Sequence, residues 1–153
     1  MSKAKQIIEL MQPFVDEGRL LERSYESINN EIENFISIES DGEIIACAAL
    51  KLYEKENMGE IYGLVVNKDF HNTDASSNLM DLLIKKALSY NLSSIFALSK
   101  FGGRFFFRHG FIQSDISSLP LIRQKSYDYQ RNSIIYLRNF KLWLLTFFWA
   151  INN

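Results

Sequence analysis

Met58-Gly59-Glu60-Ile61-Tyr62-Gly63-Leu64-Val65-Val66 is a nearly unbroken apolar run, and together with the two segments after it decides the fold. Its length and its β-branched and aromatic content predict a strand that is largely buried. Asp74 to Tyr90 then places Leu79, Leu82, Leu83, Ala87 and Leu88 on one helical stripe, and Ser94 to Leu98 returns to a short apolar run. Strand, helix, strand is a crossover, which brings a parallel pair into the sheet. Upstream, Phe35 to Glu39 is extended in character, Asp41-Gly42 suits a tight turn with positive φ, and Glu43 to Tyr53 returns as a long strand. That hairpin makes the sheet mixed.

Working outward, Ile7, Ile8, Leu10, Met11 and Phe14 predict a first helix over Ala4 to Phe14. Gly18 breaks the chain, and Ser24 is placed to cap a second helix with Ile28, Ile32 and Phe35 as its apolar positions. Arg104 to His109 suits one or two helical turns ending at Gly110, while Phe111-Ile112 and Asn132 to Leu137 supply late strands. The expected order is α-α-β-β-β-α-β-α-β-β, an α/β (α+β) chain with a mixed, mostly antiparallel sheet and flanking helices. Ligands of such sheets favour the crevice where neighbouring strands splay, beside the N-terminus of the crossover helix.

The 153 residues suit one domain, expected over 1–140, followed by an apolar C-terminal tail over 141–153. A net charge of −1 argues against a nucleic-acid surface, which needs a basic excess. The single cysteine, Cys47, lies inside the apolar run Ile44 to Leu50 and is expected to be buried and inert. Met1 to Ile8 has neither a long apolar core nor a small-residue cleavage site, so no signal peptide is expected and the cytoplasm or an organelle stroma is the expected compartment. The tail, Leu142-Trp143-Leu144-Leu145-Thr146-Phe147-Phe148-Trp149-Ala150-Ile151, is too short for a bilayer, which takes about 20 residues. It is open to three readings: packing on its own domain or on a homodimer partner, docking on another protein, or peripheral contact with a membrane surface.

Several strings carry a family resemblance: Gly18 to Ser24, Ile38 to Leu50, Met58-Gly59-Glu60, Phe105 to Phe111, and Tyr127-Asp128-Tyr129-Gln130-Arg131-Asn132-Ser133. From about Ile7 to Leu137 the chain resembles the GNAT superfamily of N-acetyltransferases, and within it the acetyltransferase domain of bacterial-type N-acetylglutamate synthases. The resemblance implies the acyl-CoA N-acyltransferase fold. It also implies acetyl-CoA as co-substrate, no metal, and the α-amino group of an amino acid, glutamate favoured, as acceptor. It places Glu60 as candidate base and Ser99 near the thioester, with Leu64, Val65 and Val66 along the donor. Arg23, Arg123, Arg131 and Ser133 match acceptor-binding positions. The chemistry agrees with these types: an amine attacks only when deprotonated, and an arginine fork suits a carboxylate. If Arg131 and Ser133 share a strand, spacing of two turns both to one carboxylate. Gly63 permits a bulge or a close ligand approach, and Phe106 stands where many relatives carry a tyrosine that protonates the thiolate.

One stretch departs from the family. The pyrophosphate turn Arg/Gln-x-x-Gly-x-Gly/Ala aligns with His71-Asn72-Thr73-Asp74-Ala75-Ser76. Asp74 is placed to cap the following helix with its carboxylate, taking amides that a phosphate needs. At about 4 Å and an effective dielectric near 20, two like charges repel by about 4 kcal/mol. Asp74 and the lost loop glycines motivate an alternative to the enzyme, a non-catalytic binding or assembly module docking through its tail; a third reading is an amino-acid sensor using Arg131 and Ser133 without chemistry.

Overall fold

The structure, a computed structural model, describes residues 1–140 and 150–152. Its elements are α1 (Lys3–Asp16), α2 (Tyr25–Asn30), β1 (Phe35–Ser40), β2 (Glu43–Tyr53), β3 (Met58–Val66), α3 (Ala75–Ser89), β4 (Ser94–Ser99), α4 (Gly103–Arg108), β5 (Ile112–Ser114), α5 (Leu121–Lys125) and β6 (Ile134–Asn139). Short 3₁₀ turns sit at Ile32–Asn34, Lys68–Phe70 and Ile116–Ser118. The six strands form one mixed sheet in the order β1-β2-β3-β4-β6-β5, with β3 and β4 neighbours joined by the α3 crossover. The expected element order is therefore present, with α5 added between the last two strands.

Several expected boundaries shift by a residue or two, and two of the differences have a clear local cause. The second helix stops at Asn30, because Ile32–Asn34 tightens into a 3₁₀ turn and Phe35 opens β1. Ser24 does cap it, its Oγ accepting the Ser27 N–H at 3.1 Å. The last strand begins at Ile134 rather than Asn132, since Asn132 is left-handed (φ 50°) and cannot continue a pleat.

The chain packs as two compact units. The first comprises Met1–Lys51 with Ile61–Lys86. Its core gathers Ala4, Ile7, Met11 and Phe14 of α1 with Ile28, Phe35, Cys47 and Val65. The β1–β2 hairpin turns on Asp41 (φ 51°) and Gly42 (φ 79°), the pair of positive angles that matches strand twist. Cys47 is fully buried, and loss of water pushes its thiol up to about 12. Its sulfur lies 3.6 Å from the Gly63 carbonyl. Gly63 has φ 61° inside β3, and a Cβ there would lie 3.0 Å from Met11 Cε and 3.4 Å from Phe35 Cε1. Glycine thus serves both the irregular backbone and the close packing.

The second unit comprises Leu52–Glu60 with the chain from Ala87 onward. Its core is Tyr53, Met58, Phe96, Leu119, Tyr127 and Ile135. β6 is its centre, antiparallel to β4 on one side and β5 on the other. Among the described residues no helix is long and apolar enough to cross a membrane. The tail readings rest on Leu142 to Ile151, of which 141–149 lie outside the described residues.

Candidate functional site

Within the second unit, two side chains meet at the carboxylate of a third, Glu60. Tyr53, the last residue of β2, donates its hydroxyl to Glu60 Oε1 at 2.9 Å. Arg123 Nε donates to the same oxygen at 3.0 Å. Glu60 is 7 % exposed, and its other oxygen, Oε2, has no hydrogen-bond partner among the described residues. A carboxylate so nearly removed from water needs such partners to stay charged.

Arg123 reaches Glu60 because α5 is anchored. The Leu121 N–H donates to Glu56 Oε2 at 2.8 Å, tying the start of the helix to the β2–β3 connection, and Gln124 Nε2 donates to the Leu119 carbonyl at 2.8 Å. Arg123 Nη1 also donates to the Ser126 carbonyl and hydroxyl at 3.2 and 3.1 Å. Arg123, expected at the acceptor, thus spends part of its donor set inside the protein. Its Nε and Nη1 are already engaged by protein, which leaves only one arm for another acceptor.

Arg131 and Ser133 do not share a strand, contrary to expectation. The Asp128 carboxylate accepts the N–H groups of Gln130 and Arg131 at 3.0 and 3.1 Å, and Asn132 N–H reaches the Asp128 carbonyl at 3.0 Å. This Asx-type turn precedes β6, so strand alternation does not set the two directions. Arg131 is half-buried and Ser133 buried, with its carbonyl accepting the Tyr127 hydroxyl at 2.7 Å. Ser99 differs as well. Its hydroxyl donates to the Phe101 carbonyl and accepts the Phe101 N–H at 3.1 Å, so its proton is committed to its own loop. Phe106 is buried and stacked on Tyr136, with ring centroids 4.8 Å apart.

The first unit holds the other candidates. Arg23 lies over the Tyr62 ring, 4.6 Å from its centroid. Leu64, Val65 and Val66 close β3, and His71 Nε2 sits 2.8 Å from the Val66 carbonyl. A carbonyl only accepts, so the ring nitrogen donates, and His71 pins its loop to the strand end. Asn72 is exposed.

The expected cap is overturned. Thr73 Oγ1, not Asp74, accepts the Ala75 N–H at 3.2 Å, while donating to the Phe70 carbonyl at 2.6 Å. Asp74 contributes only its carbonyl, to the Asn78 N–H at 2.9 Å; its side chain is exposed. The N–H groups of Ser76 and Ser77 meet no acceptor among the described residues. Asp74 stands directly before the helix, yet its carboxylate accepts none of these amides. Two backbone donors at the head of a 15-residue helix therefore remain available to an anion.

Residues 4–111 match the Acetyltransferase (GNAT) family. The chain belongs to that family. Its GNAT fold is shared with N-acetylglutamate synthase from Neisseria gonorrhoeae, solved with coenzyme A and N-acetyl-glutamate. The TM-score is 0.85 at 35 % identity, covering 91 % of this chain and 33 % of that one. The amino-acid acetyltransferase of Shewanella oneidensis is 40 % identical over 129 residues, covering 84 % of this chain. That of Pseudomonas fluorescens is 35 % identical over 130 residues, covering 85 %. The chain spans 29 % and 30 % of the length of these two relatives.

One member of this candidate site and one pairing within it were not read from sequence. Tyr53 ends the strand before a four-residue connection to Met58, and hairpin geometry is the signal that brings it near Glu60. The Arg123–Glu60 pair spans 63 positions and has no local signal.

Proposed function

We propose that this chain transfers the acetyl group of acetyl-CoA to the α-amino group of an amino acid, with glutamate the favoured acceptor. The observation that carries the reading is Glu60: a nearly buried carboxylate held through one oxygen, with the other open. Oε2 takes a proton from the acceptor's ammonium, directly or through one water. The freed amine attacks the thioester carbonyl, the C–N bond forms and the C–S bond breaks; the nitrogen gives up its second proton and the leaving thiolate takes one up, both exchanged through solvent. The relatives named above support amino-acid chemistry, and the N-acetylglutamate synthase solved with N-acetyl-glutamate supports glutamate. Arg23, Arg131 and Ser133 are the acceptor residues this reading assigns. Leu64, Val65, Val66 and the turn from His71 to Ser76 are its donor residues.

The loop fits a pyrophosphate better than its sequence suggests. The Ser76 and Ser77 amides are open, and Ala75, Ser76 and Ser77 are small. Asp74 is solvated, where a like charge at 4 Å costs about 1 kcal/mol rather than about 4. Removing that charge is predicted to help: Asp74→Asn tightens acetyl-CoA by about threefold to tenfold at low salt, with the gain shrinking as salt screens it. Calorimetric titration of both proteins across salt concentrations checks this. Equal affinities would show that Asp74 does not face the phosphates. The same titration tests the donor half of the reading, for which micromolar wild-type binding is expected. No heat of binding, with folded protein, would sink it. The non-catalytic module drew its motivation from Asp74 and the lost loop glycines, and the Asp74 carboxylate takes none of the loop's amides.

A further inference from the structure

Tyr53 is the one group at the Glu60 carboxylate whose role the family pattern of this sequence does not assign. Its hydroxyl is 2.9 Å from Oε1, its ring lies 5.8 Å from the Phe96 ring, and it is 8 % exposed. Arg123 approaches the same oxygen from α5, at 3.0 Å. Two donors on one oxygen fix the carboxylate plane and leave Oε2 as the single open acceptor. A lone Arg123 would not do this, because its Nη1 is drawn to Ser126 and its side chain is more exposed, 21 % against 10 % for Glu60. The rigid donor is the tyrosine, set in β2 and packed in the core.

We propose that Tyr53 is a positioning residue for acetyl transfer, holding Glu60 so that Oε2, and not Oε1, receives the acceptor's proton. This rests on Glu60 acting as the base. A hydroxyl that only fills space would tolerate its own removal. One that aims the base would not, since small misplacements of a reacting group cost rate far more than binding. Tyr53→Phe keeps the ring against Phe96 and deletes only the donor.

The test is a double-mutant cycle in the full chain, with acetyl-CoA and glutamate as substrates. Tyr53→Phe is expected to lower kcat roughly tenfold, with both KM values within about twofold and the thermal midpoint held within a few degrees. In a Glu60→Gln background the same change is expected to lower kcat by less than about twofold, because Tyr53 acts only through Glu60. Effects that simply multiply would overturn the proposal and assign Tyr53 to packing. An unchanged kcat in Tyr53→Phe, with Glu60→Gln slow, would overturn it alone. A fully active Glu60→Gln, or an inactive wild type, would remove the reading of Glu60 on which it stands, and the proposal with it.

Discussion

Glu60→Gln should lower kcat for acetyl transfer by roughly 10²- to 10⁴-fold, the range that positioned acid–base groups contribute. The substitution is a sharp one here. Glutamine has the same shape, and its amide oxygen still accepts the Tyr53 hydroxyl, so the end of β2 keeps its contact with β3. What disappears is the charge and the ability of Oε2 to take a proton. Arg123 loses an ionic partner but retains Ser126, and at 21 % exposure it stays in contact with water. The fold should therefore survive, which thermal unfolding will report, and KM for acetyl-CoA should be nearly unchanged because the substitution leaves the assigned donor residues as they are. Steady-state assays over a range of glutamate concentrations separate the terms. A Glu60→Gln enzyme with kcat within about threefold of wild type would mean that the amine loses its proton to solvent without help from this residue.

The second large effect is on stability. Phe96→Ala should destabilise the chain by about 3–5 kcal/mol. Phe96 is fully buried in β4 and is among the largest fully buried side chains of the protein. It joins Tyr53, Met58, Leu119, Tyr127 and Ile135, so its loss leaves a hole bounded by these neighbours and the sheet itself. At about 2–4 °C per kcal/mol for a chain of this size, the thermal midpoint should fall by on the order of 10 °C. Urea denaturation should show a lower midpoint with an unchanged slope. The contrast with Tyr53→Phe matters. Phe96→Ala removes packing from the Tyr53–Glu60 region, whereas Tyr53→Phe removes one hydroxyl. A shift of less than about 1 kcal/mol in Phe96→Ala would show that the second core repacks freely.

The sheet was legible where local chemistry and burial agree. β2 and β3 were read to the residue, because Asp41-Gly42 fixes one end and polar Glu54 to Asn57 fixes the other. α5 was not legible. Leu121 and Ile122 are 68 % and 69 % exposed, so its apolar residues point outward and no buried stripe marks it. At the phosphate loop the cap residue was legible and its hydrogen bond was not. Asp74 stands directly before the helix, yet it is the Thr73 hydroxyl that accepts a helix N–H, that of Ala75. The Arg131 turn failed for a similar reason: Asp128 closes it ahead of the strand. The pairing of Arg123 with Glu60 was hidden because the two lie on different elements, 63 positions apart. Sequence pattern identified the carboxylate; only packing showed what holds it.

A GNAT domain with a rewritten phosphate loop is expected still to move an acetyl group onto an amino acid. The most direct test incubates the purified chain with acetyl-CoA and glutamate, follows free CoA thiol, and identifies the product by mass. The expected result is CoA release that depends on glutamate and is matched mole for mole by N-acetylglutamate. CoA release no faster than without amino acid, from folded protein that binds acetyl-CoA, would contradict it.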